Sequence, residues 1–476
     1  MPATVFPAAA LEKMRAAVGP AGWLDQPVDL EPYVADFRGL FRGRTPLVVL
    51  PASTREVAAV MRVCNEHGIG VVPHGGNTSY CGGATPDDSG TQIVLAMKRL
   101  NRIREVEPLD CSITVEAGCV LAQVQAAADV HERLFPLSLG SEGSCQIGGN
   151  LSTNAGGTAV LRYGTMRDLV LGLEVVLADG RVLDGLRSLR KDNSGYDLRH
   201  LFIGSEGTLG ILTAACLKLF PKPIDTATAI AAVRDPAAAI DLLATLRAAG
   251  DDTVTTFELI PRLAVDLTAE HISGVTDPFG QRFAWYVLIE LTSSHAKSGL
   301  TTTLEECLAN ESSRGAVLDA VLASSLRQRE SMWRLRETIP EAQRRAGASI
   351  KHDISVPISA IADFIQRGAF WIAARVPDGE LIAYGHLGDG NLHFNIQQRP
   401  GTDTAAFLAR ADTIHRAIHD LAAEYRGSFS AEHGIGQLKL DELVRYKDPV
   451  SVEVMHQLKR ALDPKGILNP GKVLRA

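Results

Sequence analysis

Three long glycine-rich passages lie in the first half of this 476-residue chain, at 73–83, 140–157 and 204–210, and they constrain its fold more than any other feature. Glycine reaches backbone conformations closed to other residues and lets main chain approach another group closely. Consecutive backbone N–H groups can also cradle an anion. A single passage of this kind reads as a tight turn between strands. Three together exceed what turns require and point to a phosphate-bearing cofactor. None is a G-x-G-x-x-G between a strand and a helix, which disfavours a Rossmann site, and the absence of G-x-x-x-x-G-K-[ST] rules out P-loop chemistry.

Alternating strands and helices surround the passages. Leu47–Leu50 is an apolar run closed by Pro51, and Ser53 with Glu56 forms an S-x-x-E capping box at the start of a helix. Val57, Val60, Met61 and Cys64 share one face of that helix, Gly68 ends it, and Ile69–Val72 makes the next strand. Further strands are expected at Ile93–Ala96, Arg102–Glu107 and Ile113–Glu116, and a helix near Leu121–Glu132. Val170–Leu177 and Arg181–Leu183 read as a hairpin with a type I′ turn at Asp179-Gly180. Two prolines, Pro221 and Pro223, then mark a domain boundary.

Beyond it the expected strands are 226–233, 253–259, 284–292, 350–356, 381–387 and 391–397, with helices near 236–248, 299–311, 325–345, 358–375 and 404–426. That pattern implies an α+β domain, an antiparallel sheet with helices packed on one side. The chain is thus expected to divide into an N-terminal helical segment (1–44), a first domain (45–223), a cap (224–427) and a glycine-rich C-terminal segment (428–476).

Composition removes several classes. Apolar residues make up 46% and charged residues 22%, near globular averages, so the chain can bury a large core. A net charge of −7 supplies no basic field for nucleic acid. The seven cysteines are scattered, with no C-x-x-C, which argues against a zinc ribbon or a cysteine-held iron–sulfur cluster and for a reducing compartment. Met1–Ala10 lacks a signal-peptide pattern, and no apolar run reaches about 18 residues, so a soluble cytoplasmic protein without a transmembrane segment is expected.

A second constellation runs from Tyr384 to Asn395. A two-residue turn at Asp389-Gly390 would set Gly388 opposite Asn391, Leu387 opposite Leu392 and His386 opposite His393. Imidazoles so placed, with Cβ atoms about 4.5–5.5 Å apart, can share one cation, at about 2.0–2.1 Å each for zinc. Glu432 and His433 add a carboxylate and a third imidazole. Three unrelated surface histidines beside turns is the alternative, and the residues alone leave both open. His415 and His419, at i and i+4, lack the glutamate of H-E-x-x-H and are expected to face solvent. Arg327, Arg329, Arg334, Arg336, Arg344, Arg345 and Lys351 form a cationic cluster, mostly a solvated helix face, from which two or three members could bind a carboxylate.

Taken together, Pro73–Thr78, Gly148–Asn150 with Asn154–Gly157, and Gly204–Gly210 resemble the vanillyl-alcohol-oxidase-type flavoproteins, over about Pro46 to Lys472. The resemblance implies a two-part FAD-binding domain, an α+β substrate cap, and a C-terminal segment that returns to complete the active site. Gly385–His393 and Ala431–Gly434 narrow it to the FAD-linked D-2-hydroxy-acid dehydrogenases, and Leu189–Leu198 looks most like the D-2-hydroxyglutarate dehydrogenase branch. It further implies FAD contacts from Pro73, Gly75, Gly76, Asn77, Thr78 and Gly82, from Gly148, Gly149, Thr153, Asn154, Gly156, Gly157 and Tyr163, and from Gly204, Glu206, Gly210, Ile211 and Asn469. Relatives that attach FAD covalently often carry histidine where Asn77 stands, so non-covalent FAD is expected.

By the same resemblance His386, His393 and Glu432 would hold one divalent metal, zinc or manganese, and His433 would be the base. Arg336 and Lys351 match positions that bind substrate carboxylates, and Asn395 matches a substrate-contacting asparagine. Pro340 departs from the branch, which has a threonine there that touches substrate. The chemistry is consistent with these roles. An alcohol is a poor acid, a divalent cation lowers its pKa, and a neutral imidazole with pKa near 6.5 can take the proton. Hydride from C2 would pass to flavin N5 and leave a 2-oxo acid. D-lactate, D-malate and glycolate are the alternative substrates, and a flavin-free metallohydrolase or a non-catalytic flavin protein are the alternative classes. The expected electron acceptor is a quinone or an electron-transfer flavoprotein, and dimerisation is common among such relatives.

Overall fold

The S-x-x-E signature folds as its chemistry requires. Ser53 Oγ accepts the N–H of Glu56 at 3.3 Å, and the Glu56 carboxylate accepts the N–H of Ala52 at 2.8 Å. These bonds open the helix Thr54–His67, which ends at Gly68 in the left-handed conformation, φ 67°. Val57, Val60, Met61 and Cys64 are all fully buried along it. The helix is the crossover between Val48–Val49 and Gly70–His74, each of which pairs in parallel with Gln92–Ala96, while Trp23–Leu24 joins the sheet antiparallel at the edge. In sheet order its strands are Trp23–Leu24, Val48–Val49, Gln92–Ala96 and Gly70–His74.

The structure is a computed structural model that describes residues 6–475. It divides into two units, the first formed among the described residues by 6–157, 164–222 and 432–475, the second by 158–163 and 223–431. In the first unit a five-stranded antiparallel sheet joins the parallel one, in the order Ile103–Glu107, Ser112–Glu116, Ile211–Lys218, Val170–Val176 and Val182–Gly185. The hairpin at its edge is not closed by a type I′ turn. Leu177 donates its N–H to Arg181 O, Gly180 donates to Leu177 O, and only Gly180 has positive φ, at 80°. A three-residue loop with a left-handed glycine satisfies the strand ends while leaving Asp179 in ordinary backbone.

Several glycines of the three passages are there because protein atoms leave no room for a side chain. A Cβ on Gly76 would lie 2.1 Å from Ser144 O, and one on Gly207 would lie 2.4 Å from the Pro73 ring. The first passage is thereby pressed between the second and the third.

The second unit is an antiparallel sheet of eight strands. The main order is Val317–Leu322, Asp225–Val233, Trp285–Ser293, Val254–Pro261, Gly379–His386, Asn391–Gln398 and Ser349–Ile350, and Asp353–Ser355 also pairs with Asn391–Gln398. Helices cover both of its faces, not one. Ala229, Ala231 and Val233 join a core with Leu242, Leu304 and Phe364, whereas Ile230 and Ala232 join a separate core with Val265, Met332 and Leu335. The unbroken burial of 227–233 is the signature of a strand enclosed on both sides. The strand Val317–Leu322 and the helix Arg262–His271 are additional to the sequence expectation. The expected helix 325–345 breaks at Thr338 into Leu326–Glu337 and Ile339–Ala346, with Pro340 in the first turn of the second piece, where its missing N–H costs nothing. The strand expected over 350–356 is interrupted at Lys351-His352.

Residues 158–163 leave the first unit for the second, where Thr158 O accepts the Thr256 hydroxyl and Arg162 donates to Thr292 O at 2.6 Å. Residues 428–431, expected in the C-terminal segment, also belong to the second unit, since Ser355 and Ser428 exchange backbone hydrogen bonds. Among the described residues no helix is long and apolar enough to cross a membrane.

Gly76→Ala would force its Cβ onto a carbonyl oxygen. Overpacking of this kind costs about 1–3 kcal/mol, so the expected outcome is a lower chemical-denaturation midpoint for the first unit, while Gly149→Ala, which meets nothing within 4 Å, leaves that midpoint unchanged.

Candidate functional site

In the first unit, the glycine passages divide by what surrounds them. A Cβ on Gly82 would strike the Phe41 ring at 2.5 Å, one on Gly148 would meet Ala117 at 2.9 Å, and one on Gly157 would meet Ser138 O at 2.1 Å. Gly210 likewise backs onto Val175 at 2.6 Å. Gly140, Gly143 and Gly149 instead face open space, and Gly75 has only loose neighbours, Gln146 Oε1 and Gly149 N, each at 3.7 Å. The Oε1 of Gln146, both ring nitrogens of His74 and, in the C-terminal segment, the Oδ1 of Asn469 are buried without a hydrogen-bond partner. Burial brings the His74 imidazole down to about 4, which keeps it neutral. An unmet buried donor or acceptor costs roughly 1–3 kcal/mol, so residues of this kind fit a ligand that offers both.

Other expected contacts in this unit have protein partners. Asn77, at φ 53°, donates to Ala35 O at 2.9 Å. Thr78 follows that bend and is half-buried, as are Pro73 and Gly75. Thr153 donates to Gly149 O, and Asn154 accepts the Arg167 N–H. Gly156 and Gly157 follow directly. Gly204 donates to Leu151 O, Ile211 is buried at a strand start, and the Asn469 amide donates to Gly83 O and Glu206 O. Tyr163 lies in the excursion that belongs to the second unit, beneath the Arg162 guanidinium at 5.1 Å.

The segment carrying His433 is fastened within the first unit by Glu206. The two oxygens of that carboxylate accept the N–H groups of Ile435 at 2.7 Å and Gly436 at 2.9 Å. Gly434, at φ 75°, is required there, because a Cβ would lie 2.8 Å from Glu206 Oε1. Burial raises the Glu206 pKa, and the two amides and Lys439 offset this only in part. Gln437 adds hydrogen bonds to Gly82 O and Thr85 O. The His433 ring stands 4.5 Å from that of Tyr80, tilted by 34°, and its Nε2 is 3.9 Å from Glu432 Oε1.

In the second unit the strand register differs from expectation by two residues. His393 pairs with Tyr384, not with His386, and His386 pairs with Glu258 on the strand Val254–Pro261. The cause is the turn: Leu387–Asp389 forms a single 3₁₀ turn, and the left-handed residue is Gly390 alone, at φ 87°. His386 and Tyr384 are two residues apart and so share a face, and the His386 and His393 rings still come within 5.6 Å of each other.

On that face the sheet is polar at one end. Glu258, 1% exposed, accepts from His386 Nδ1 at 2.5 Å and from Arg336 Nε at 2.7 Å. Burial would raise its pKa, but Arg336 and His386 outweigh burial and hold it well below the usual carboxylate range. The Arg336 guanidinium lies 5.0 Å over the Tyr384 ring, and that ring is 4.9 Å from His393. Asn395 is buried, with Oδ1 accepting the His352 N–H and Nδ2 donating to Gln343 Oε1. Lys351 is exposed in the strand break.

Of the cationic cluster, Arg336 is the buried member. Arg329 pairs with Glu290, Arg334 donates to Ser273 O, Arg345 donates to His271 O, and Arg327 and Arg344 are exposed. His419 does not face solvent: it is 5% exposed, its ring 5.7 Å from His352, whose Nε2 lies 3.1 Å from His415 Nδ1. Glu258 was missed from sequence. Its signal was one acid within the otherwise apolar and threonine-bearing run Val254–Pro261.

Glu432 follows Ala431, whose N–H is bonded to Asp353 O, and Asp353 is the strand partner of His393. Within the first unit, Glu206→Ala should release Ile435 and Gly436. Two amide bonds to a carboxylate, about 1.5–3 kcal/mol each, predict at least tenfold faster hydrogen exchange at those amides than in wild type.

Residues 222–473 match the family model of the C-terminal domain of FAD-linked oxidases, and residues 45–185 match that of an FAD binding domain. The mitochondrial D-2-hydroxyglutarate dehydrogenase of Arabidopsis thaliana is 39% identical over 447 residues, 94% of this chain and 78% of that one. Its counterpart from Bos taurus is 40% identical over 471 residues, 98% of this chain and 83% of that one. Among solved structures, alkyldihydroxyacetonephosphate synthase superposes with a TM-score of 0.76 at 18% identity, covering 98% of this chain and 86% of that one, a likeness of fold.

Proposed function

The chain belongs to the family of FAD-linked oxidases, and we propose that it oxidises a D-2-hydroxy acid, D-2-hydroxyglutarate foremost, to the corresponding 2-oxo acid. The observation that carries this reading is the polar end of the cap sheet. There two imidazoles of metal-ligand type, His386 and His393, share a face with the buried Arg336. The dehydrogenases of Arabidopsis thaliana and Bos taurus supply the substrate.

The unpaired polar atoms of His74 and Gln146 beside open glycines fit FAD, and His386, His393 and Glu432 are a donor set that suits zinc or manganese. When bound, FAD supplies the electron acceptor for the hydride on C2, and the cation supplies a Lewis acid for the hydroxyl. Asn77 offers an amide already bonded to Ala35 O, and FAD is held without a covalent bond. His433 takes the hydroxyl proton on a ring nitrogen, and the Tyr80 ring at 4.5 Å restricts its tilt. Arg336 and Lys351 bind carboxylates, with Asn395 in contact with substrate. The reduced enzyme passes its electrons to a quinone or an electron-transfer flavoprotein.

A second reading keeps the chemistry and changes the acid to D-lactate, D-malate or glycolate. Pro340 favours it, because proline offers no hydroxyl to a distal carboxylate.

A dye-coupled assay with these acids, before and after EDTA, tests both. The expected result is fastest turnover of D-2-hydroxyglutarate, loss with chelator and recovery with zinc or manganese. His433→Asn is expected to lower kcat about 10²–10⁴-fold while the flavin absorbance is retained. Turnover of a shorter acid in first place would select the second reading, and flavin-loaded protein inert on all of them would sink both.

A further inference from the structure

We infer that Glu258 is a positioning residue with two clients, fixing the tautomer of His386 for metal binding and the orientation of Arg336 for a substrate carboxylate. The inference rests on the proposed function and adds to it a residue outside the expected ligand and substrate sets.

Geometry carries the argument. Glu258 stands directly across the sheet from His386, so the contact between them is built into the strand pairing and needs no loop. Its Oε1 lies 2.5 Å from His386 Nδ1. An ionised carboxylate only accepts, so Nδ1 carries the proton and the lone pair of the ring is left on Nε2. A histidine held in this way is the form that ligates a cation through Nε2, and the outer carboxylate raises its basicity. The second oxygen lies 2.7 Å from Arg336 Nε. Bound at Nε and laid over the Tyr384 ring at 5.0 Å, the guanidinium has its plane set by two neighbours. Tyr384 is in turn the cross-strand partner of His393, with rings 4.9 Å apart. One carboxylate and one phenol ring therefore tie the two histidines to the arginine.

Neutralising a buried arginine is the purely structural account of Glu258, and it makes a different forecast. It moves unfolding temperature and leaves metal affinity and KM where they were. Glu258→Gln separates the two accounts. The amide keeps one acceptor oxygen but turns an N–H₂ toward a group that itself donates, so either His386 or Arg336 loses its bond. On flavin-loaded protein, with zinc competed against a chromophoric chelator, the expected result is a metal dissociation constant raised about 10–100-fold. At saturating zinc, the KM for D-2-hydroxyglutarate is expected to rise about tenfold, with kcat changed less.

Glu258→Asp keeps the charge and draws the carboxylate back by one methylene, and it should fall between wild type and Glu258→Gln on both measures. If Glu258→Gln does not fold, a metal affinity and KM for Glu258→Asp equal to those of wild type overturn the inference, and a rise in both supports it. Flavin-loaded Glu258→Gln with wild-type metal affinity and KM also overturns it. Wild-type protein that takes up no metal marks failure of the proposed function itself. In that case an unchanged KM in Glu258→Gln removes the remaining arginine half, and a raised KM retains it.

Discussion

A carboxylate shut away from water must be met by donors, because an unpaired buried charge costs several kcal/mol. Four of the five glutamates buried among the described residues meet that demand with groups on other elements of the fold. Glu116 gathers Arg102 and Arg104, and Glu290 gathers Thr228, Arg329 and Trp333. Glu206 takes the amides of Ile435 and Gly436, more than 200 residues away, and Glu258 takes His386 and Arg336. The first two organise sheets. The other two hold the residues on which the proposed chemistry depends, so in this protein the arrangement of the site and the demand for charge pairing are one constraint.

Glycine serves a similar double purpose in the first unit. In the passages that suggested a phosphate cradle, several positions are glycine because neighbouring chain fills the space: Ser144 O at Gly76, Ser138 O at Gly157, the Phe41 ring at Gly82. Close packing of irregular loops yields a firm wall, and one of the looser glycines, Gly75, lies 3.7 Å from Gln146 Oε1, a buried acceptor without a partner. The glycines therefore make the wall first and the ligand surface second.

The helix from Thr54 to His67 was legible because its signals are local: a capping box, an apolar face and a left-handed glycine end. The His386–His393 register was not legible, because the turn that sets it is a 3₁₀ turn with one left-handed glycine, and Asp389-Gly390 suits more than one loop geometry. The face of each side chain survived the error, since the true partner of His393 is two residues from His386. His419 was read as solvent-facing from the charges around it, and a neighbour absent from its own helix, His352, buries it.

The sequence by itself determined the helix Thr54–His67, the glycine-rich passages and the residue types of the site, because caps, glycine and periodicity act through near neighbours. Tertiary structure decided which arginine of the cluster is buried, that helices cover both faces of the cap sheet, and that Glu258 stands across from His386. These depend on pairing between strands more than 100 residues apart, Val254–Pro261 with Gly379–His386, and no local preference encodes which strand lies beside which.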